Sequence, residues 1–145
     1  MLFKRLNRTA AETVFAVFQA NETGIAADDV VQLEMTAASV DGVKIVQPNT
    51  SELNATVGLA DAAIANGAYG LVQIYGYRST SRVLKSGSTL ALGVGLAAVA
   101  GQDWLETRAL ETSAQFLPAF VLLETQISAI GANSTVSSKI FIRCM

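Results

Sequence analysis

Two sets of acidic side chains have the spacing for acid–base work: the adjacent pair Asp28-Asp29, and Asp103 with Glu106 three positions on. Paired carboxyl groups can divide the roles of general acid and nucleophile or base, as in glycoside hydrolysis. Neither pair has an imidazole to work with, because the chain contains no histidine. That removes most catalytic triads, the usual general base and the commonest metal ligand. Cys144, the single cysteine, would lack the base that activates a thiol and has no partner for an intrachain disulfide. No group of residues has metal-site spacing. Adjacent carboxylates also serve as solvated caps where a strand begins, and we expect that role for Asp28-Asp29. The sequence therefore predicts no enzyme: no catalytic residue, no cofactor and no metal.

Two further sets can be read as binding chemistry. Gly67-Ala-Tyr-Gly70 invites comparison with phosphate-cradling loops, but it lacks both the G-x-G-x-x-G spacing and the GK[ST] ending. It also leads into a strand-like stretch where those motifs lead into a helix. Turn and bulge glycines account for it better. Trp104 with Leu105, and Tyr75 with Tyr77, can line a ligand surface, although aromatics at strand spacing more often fill a core or a subunit interface.

The elements that would hold these residues are predominantly strands. Residues 57–77, VGLADAAIANGAYGLVQIYGY, form the organising stretch. From Gly70, Val72 and Ile74 fall on one face and Leu71, Gln73 and Tyr75 on the other, the period of a strand. Asn66-Gly67 before it is a turn pair, since both residues accept positive φ at low cost. Residues 12–20 read as a strand from their β-favouring Val and Phe side chains. Residues 30–36 alternate Val31, Leu33 and Met35 with Gln32, Glu34 and Thr36, and these two strands could form a hairpin with a long connection. Residues 43–46 follow the Asp41-Gly42 turn as a short strand that Pro48 must end or place at an edge. The alanines of 59–65 suit a helical turn ended by Gly67, and their small side chains equally allow a strand approached closely by a neighbouring chain. Residues 89–100 alternate Leu90, Leu92, Val94 and Leu96 with smaller residues. Strands are also expected over 120–127 and 136–144, the latter with Val136, Ile140 and Ile142 on one face. The sum is an all-β domain, a compact antiparallel barrel or sandwich of about eight short strands over 12–145, preceded by an N-terminal arm over 1–11.

Composition says where function lies. Charged residues are 15% and apolar residues 51% of the 145, and mean hydropathy is +0.40, against about 25% charged in an ordinary soluble domain. The longest uncharged runs, 62–77 and 86–102, are broken by glycines and fall short of the ~20 apolar residues of a spanning helix, so a membrane is not expected. A net charge of −2 argues against nucleic acid, which calls for a basic face. An interface remains as the outlet for the apolar surplus. Small side chains let backbones approach, so Leu92, Gly93, Gly95 and Ala97 are candidates for an oligomer interface. The arm supplies Leu2, Phe3 and Leu6 for burial, with Lys4, Arg5 and Arg8 to meet an acidic partner. Glu12 interrupts the region where a secretory signal would need its apolar core.

Several runs taken together resemble the small capsid decoration, or cement, proteins of tailed bacteriophages: Asn21-Glu-Thr-Gly24 with Asp28-Asp-Val-Val31, the Asp41-Gly-Val43 turn, and above all Val57-Gly-Leu-Ala60 followed by Ile64-Ala-Asn-Gly-Ala-Tyr-Gly-Leu-Val-Gln-Ile-Tyr-Gly76. The resemblance covers about 14–104, with Gly101-Gln-Asp103 standing where such sequences often place Gly-Asp. It implies a non-catalytic virion protein, made in the bacterial cytoplasm, that binds the outside of the major capsid protein lattice and reinforces it, commonly as a trimer. The competing classes are a tail or baseplate component of the same particle and a soluble small-ligand-binding barrel.

Overall fold

The computed structural model describes residues 12–22, 24–36, 41–49, 53–85, 90–107, 119–125 and 134–144. The arm expected over 1–11 lies outside them. The strands are β1 (Thr13–Ala20), β2 (Val30–Leu33), β3 (Lys44–Val46), β4 (Thr56–Ala60), β5 (Tyr69–Arg78), β6 (Arg82–Lys85), β7 (Gly95–Ala98), β8 (Leu105–Thr107), β9 (Phe120–Leu122), β10 (Ser134–Ser137) and β11 (Ile140–Arg143). One 3-10 turn, Leu53–Ala55, precedes β4.

Among the described residues these strands form one sheet in the order β1-β3-β2-β4-β5-β11-β9-β7-β8-β6-β10, and the pairing of β1 with β5 closes the first five into a barrel. The all-β expectation holds, with more and shorter strands than about eight. The pairing is largely antiparallel, but β1–β3 and β6–β8 run parallel.

β5 is the strand on which both halves hang. One of its edges carries β1 from Thr13 to Gln19. The other carries β4 at Val72 and Gln73 and then β11 from Tyr75 to Arg78. Gly76, in the crowded middle, pairs with both Thr13 and Ile142. It has a φ of 103°, and a Cβ there would lie 1.8 Å from the carbonyl oxygen of Glu12. Only glycine lets β1 come this close.

The period-2 rule sends neighbouring residues of the shared strands into different cores. Val31 of β2 and Ala60 of β4 join Ala20, Ile25, Ile45, Ile64 and Val72 inside the barrel. Val30 and Leu59, one residue earlier, join Leu96, Leu105, Phe120, Leu122, Ile140 and Ile142 in a second core between the barrel and the later strands. β2 and β4 are thus a wall buried on both faces. Val136, Ile140 and Ile142 do share a buried face, across two strands, β10 and β11.

Several sequence expectations are corrected. β1 makes no hairpin with β2; both border β3. Of the two alternatives for 59–65 the extended one holds: β4 runs through Ala60, and Ile64 makes an isolated bridge to Ile25. The regular alternation expected over 89–100 breaks at a turn at Leu92-Gly93, where Gly93 has a φ of 84°, and only Gly95–Ala98 is strand. The strand expected over 120–127 ends at Leu122. In β2 and just beyond it, the polar Gln32 and Glu34 are buried while Met35 is exposed. A strand covered on both sides has no solvent face to give its polar residues. They bond locally instead: Asn49 N–H donates to Gln32 Oε1 at 3.0 Å, and Thr36 N–H to Glu34 Oε1 at 2.9 Å.

Candidate functional site

The densest polar chemistry lies where the barrel meets the later strands, and its centre is Arg78, the last residue of β5, which is 8% exposed. Its Nε donates to Asp28 Oδ1 at 2.8 Å and to the Thr80 carbonyl at 3.0 Å. Nη1 reaches Gln73 Oε1 at 3.2 Å and Asp61 Oδ1 at 3.4 Å. Nη2 reaches Asp28 Oδ1 at 2.6 Å and the Ala60 carbonyl at 3.1 Å. Gln73 donates in turn to the Tyr77 carbonyl at 2.9 Å. Asp28 is held at a φ of 67°, a left-handed turn conformation that Asp tolerates better than most residues. Its own N–H donates to Ala60 O at 3.0 Å.

The second acid of the pair takes a second arginine. Asp29, 1% exposed, lies 3.5 Å from Arg82 Nη1 and accepts the Ala26 N–H at 2.7 Å. Arg82 also pairs with Asp103. Burial raises the Asp29 carboxyl above its ordinary range, the Ala26 N–H opposes that, and Asp103 adds repulsion. Glu22 is likewise raised, by burial first, with Glu34 and Asp29 adding repulsion against the Gln47 N–H that it accepts. Glu34 is lowered, chiefly by the Thr36 N–H and hydroxyl.

A cleft of about 360 Å³ opens over Arg78, lined by Asp28, Asp61, Gln73, Tyr77, Ser79 and Thr80 as well. Small-molecule sites are mostly apolar with a few convergent polar groups, and this one is polar throughout. Every nitrogen of the guanidinium already has two acceptors, so no donor is left to seize an anion. The cluster does structural work: it ties the turn before β2, the end of β4 and the end of β5 together. The role expected for Asp28-Asp29 is thereby changed from solvated caps to arginine partners. Nothing local in the sequence signals this, because Arg78 stands 50 positions from Asp28 and no short-range pattern joins them.

The other expected groups separate. Tyr75 meets Phe141 edge to face, with ring centroids 5.2 Å apart, on the half-buried side of the sheet. Trp104 has its Nε1 buried with no partner among the described residues. Cys144 packs against the second core, and burial pushes its thiol up to about 12, so it stays protonated. Among the described residues no cluster of acid, cysteine or histidine side chains has the make-up of a metal site, and no helix is long and apolar enough to cross a membrane. Gly95 and Ala97 are half-buried within β7, which is paired on both edges, by β8 and β9. Leu92 at the preceding turn is 65% exposed beside the exposed Gly93. The arm candidates Leu2, Phe3, Lys4, Arg5, Leu6 and Arg8 lie outside the described residues.

Sequence reading does not pick out one exposed apolar face. Phe15 and Val17 on β1, with Tyr69 and Leu71 on β5, point away from the barrel interior. The register sets Val17 beside Leu71 and Gln19 beside Tyr69.

No protein-family model matches the chain, and no curated protein matches it. Among solved structures it is similar to the N base of head fiber gp8.5 in bacteriophage phi29, with 13% identity and a TM-score of 0.46 over 92% of this chain and 96% of that one. At that level the likeness transfers no role.

Proposed function

We propose that the protein is a structural component of a phage head that binds the outer face of the major capsid protein lattice and reinforces it without chemistry. The observation that carries this reading is the sequence resemblance over 14–104 to capsid decoration proteins, centred on VGLA and on NGAYGLVQIYG. The structure fits such a role in two respects. Its clustered acids at the seam are occupied by Arg78 and Arg82, and it presents uncharged apolar side chains on a rigid sheet. A cement protein works through interface free energy repeated over a shell, where modest affinity per site gains from multivalency. In this reading the segment 1–11 docks on the capsid, with Leu2, Phe3 and Leu6 buried and Lys4, Arg5 and Arg8 against acidic capsid side chains.

The test is binding of the protein, and of a variant lacking residues 2–10, to capsids from which the protein is absent, followed by heating of the decorated capsids. Full-length protein should bind and raise the temperature at which capsids open, and the deletion should lose both effects. Full-length protein that fails to bind capsids overturns the function. A deletion that binds and protects like full-length protein removes the arm from it.

A further inference from the structure

We propose that the outer face of β1 and β5 is a two-fold interface with a second copy of this chain. On this face Phe15 is 39%, Val17 60%, Tyr69 64% and Leu71 47% exposed. They are contiguous, since Val17 lies opposite Leu71 and the next outward pair along the ladder brings in Tyr69 opposite Gln19. Taking about 150–250 Å² for a large side chain, those fractions leave roughly 400 Å² of apolar surface in one patch. That is within the roughly 300–600 Å² of the largest apolar patch on a typical single chain, a patch that is often functional.

The chemistry selects a copy of the same chain. β1 contains no charged residue, and β5 contains none before Arg78. A two-fold contact sets each residue against a copy of its own neighbours, so any charge near the axis would meet its like. The two strands avoid that cost, with Lys44 beside Gln19 and Asp61 beside Leu71 standing only at the rim. The area agrees. Two such patches bring about 800 Å² of apolar surface together, and the flanking Thr13 and Gln19 carry the total to about 1,000 Å², the size of a weak, transient contact. Among the described residues the site also lies on an open edge. β1 meets β3 only at Gln19 and Ala20, so among the described residues Thr13 to Phe18 have a partner strand on one side only. Nothing in this edge strand, neither lysine nor proline, guards it against pairing.

Area does not fix affinity; we expect association in the micromolar range, and two is a different stoichiometry from the trimer that the family resemblance implies. The proposal does not depend on the capsid reading, because purified protein alone tests it. In analytical ultracentrifugation the wild type should pass from the single-chain mass of 15.2 kDa toward twice that value between low and high micromolar concentration. Val17→Lys and Leu71→Lys should each weaken the association by about tenfold or more while far-UV circular dichroism stays unchanged, since both positions are exposed. Leu92→Lys, outside the face, should dimerise like the wild type. A wild type that stays monomeric throughout, or a Val17→Lys variant that dimerises equally well, overturns the proposal. So does a monomeric wild type whose Val17→Lys variant loses capsid binding, which would assign the face to the capsid.

Discussion

Gly76→Ala should be among the most damaging single-methyl additions available in this chain, and its cost can be built from two parts. At a φ of 103° an alanine bears a backbone cost of about 1–3 kcal/mol. The added Cβ would also stand 1.8 Å from the Glu12 carbonyl oxygen and 3.0 Å from Thr13 Cα. Carbon and carbonyl oxygen normally approach no closer than about 3.3 Å, so β1 must retreat by roughly 1.5 Å at its first residues. That loosens the pairing of Thr13 and Val14 with β5, for a further cost of about 2 kcal/mol. The total of about 3–5 kcal/mol is a large share of the ~5–15 kcal/mol stability of a domain, and lowers Tm by about 10 °C or more at roughly 3–4 °C per kcal/mol. Gly67→Ala is the matched control, because Gly67 has a φ of 76° but nothing within 4 Å of an added methyl. It should cost the backbone part alone. Urea unfolding of the two variants measures the difference, and equal costs to within about 0.5 kcal/mol would refute the close approach of β1 to β5.

Two other expectations follow from burial. Val30→Ala and Val31→Ala should each cost about 2 kcal/mol, because consecutive residues of β2 both have no exposed surface and enter different cores; urea titrations in which either variant stays within about 0.5 kcal/mol of wild type contradict the two-faced wall. Glu22→Gln should raise Tm at pH 7 relative to wild type and lose that advantage near pH 4. Burial raises the folded carboxyl, so its contribution to stability is fully present below the unfolded value of about 4.3 and is lost as pH rises through the folded value, where glutamine carries no charge to bury. Thermal scans at the two pH values check it, and an advantage that grows toward pH 4 reverses the sign.

The residues that sequence reading places well are those whose surroundings are local. Asn66-Gly67 is a turn closed by the Ala68 N–H donating to the Ala65 carbonyl at 2.9 Å, and Val72, Val136, Ile140 and Ile142 are buried where alternation puts them. Gln32 and Glu34 are legible only as polar partners of an alternating pattern, since nothing in β2 itself announces that later strands cover its second face. The run 59–65 has helical composition, yet Leu59 and Ala60 are claimed by β5 across the sheet, and tertiary pairing outweighs a propensity of a few tenths of a kcal/mol per residue. Leu92 fits the alternation of its run but sits on the turn that Gly93 makes. The arginine–aspartate joint is invisible for the same reason: its members come from four separate segments. The exposed face of β1 and β5 is hidden because Phe15, Val17 and Leu71 look, in sequence, like core.

The double duty of β5 also fixes an order of events during synthesis. The barrel is covalently complete once Arg78 has left the ribosome, and β1 to β5 can then close on the inner core. At that moment Val30 and Leu59 still face water, and β5 from Tyr75 to Arg78 lacks its neighbour on one edge, because the residues that satisfy it, Ile140 to Arg143, lie far along the chain from it. For roughly 3–13 seconds at ~5–20 residues per second the nascent chain carries an apolar wall and an unpaired strand end. Loss of β11 alone would make that interval permanent, and would leave a sticky half-product in place of a slightly weakened protein.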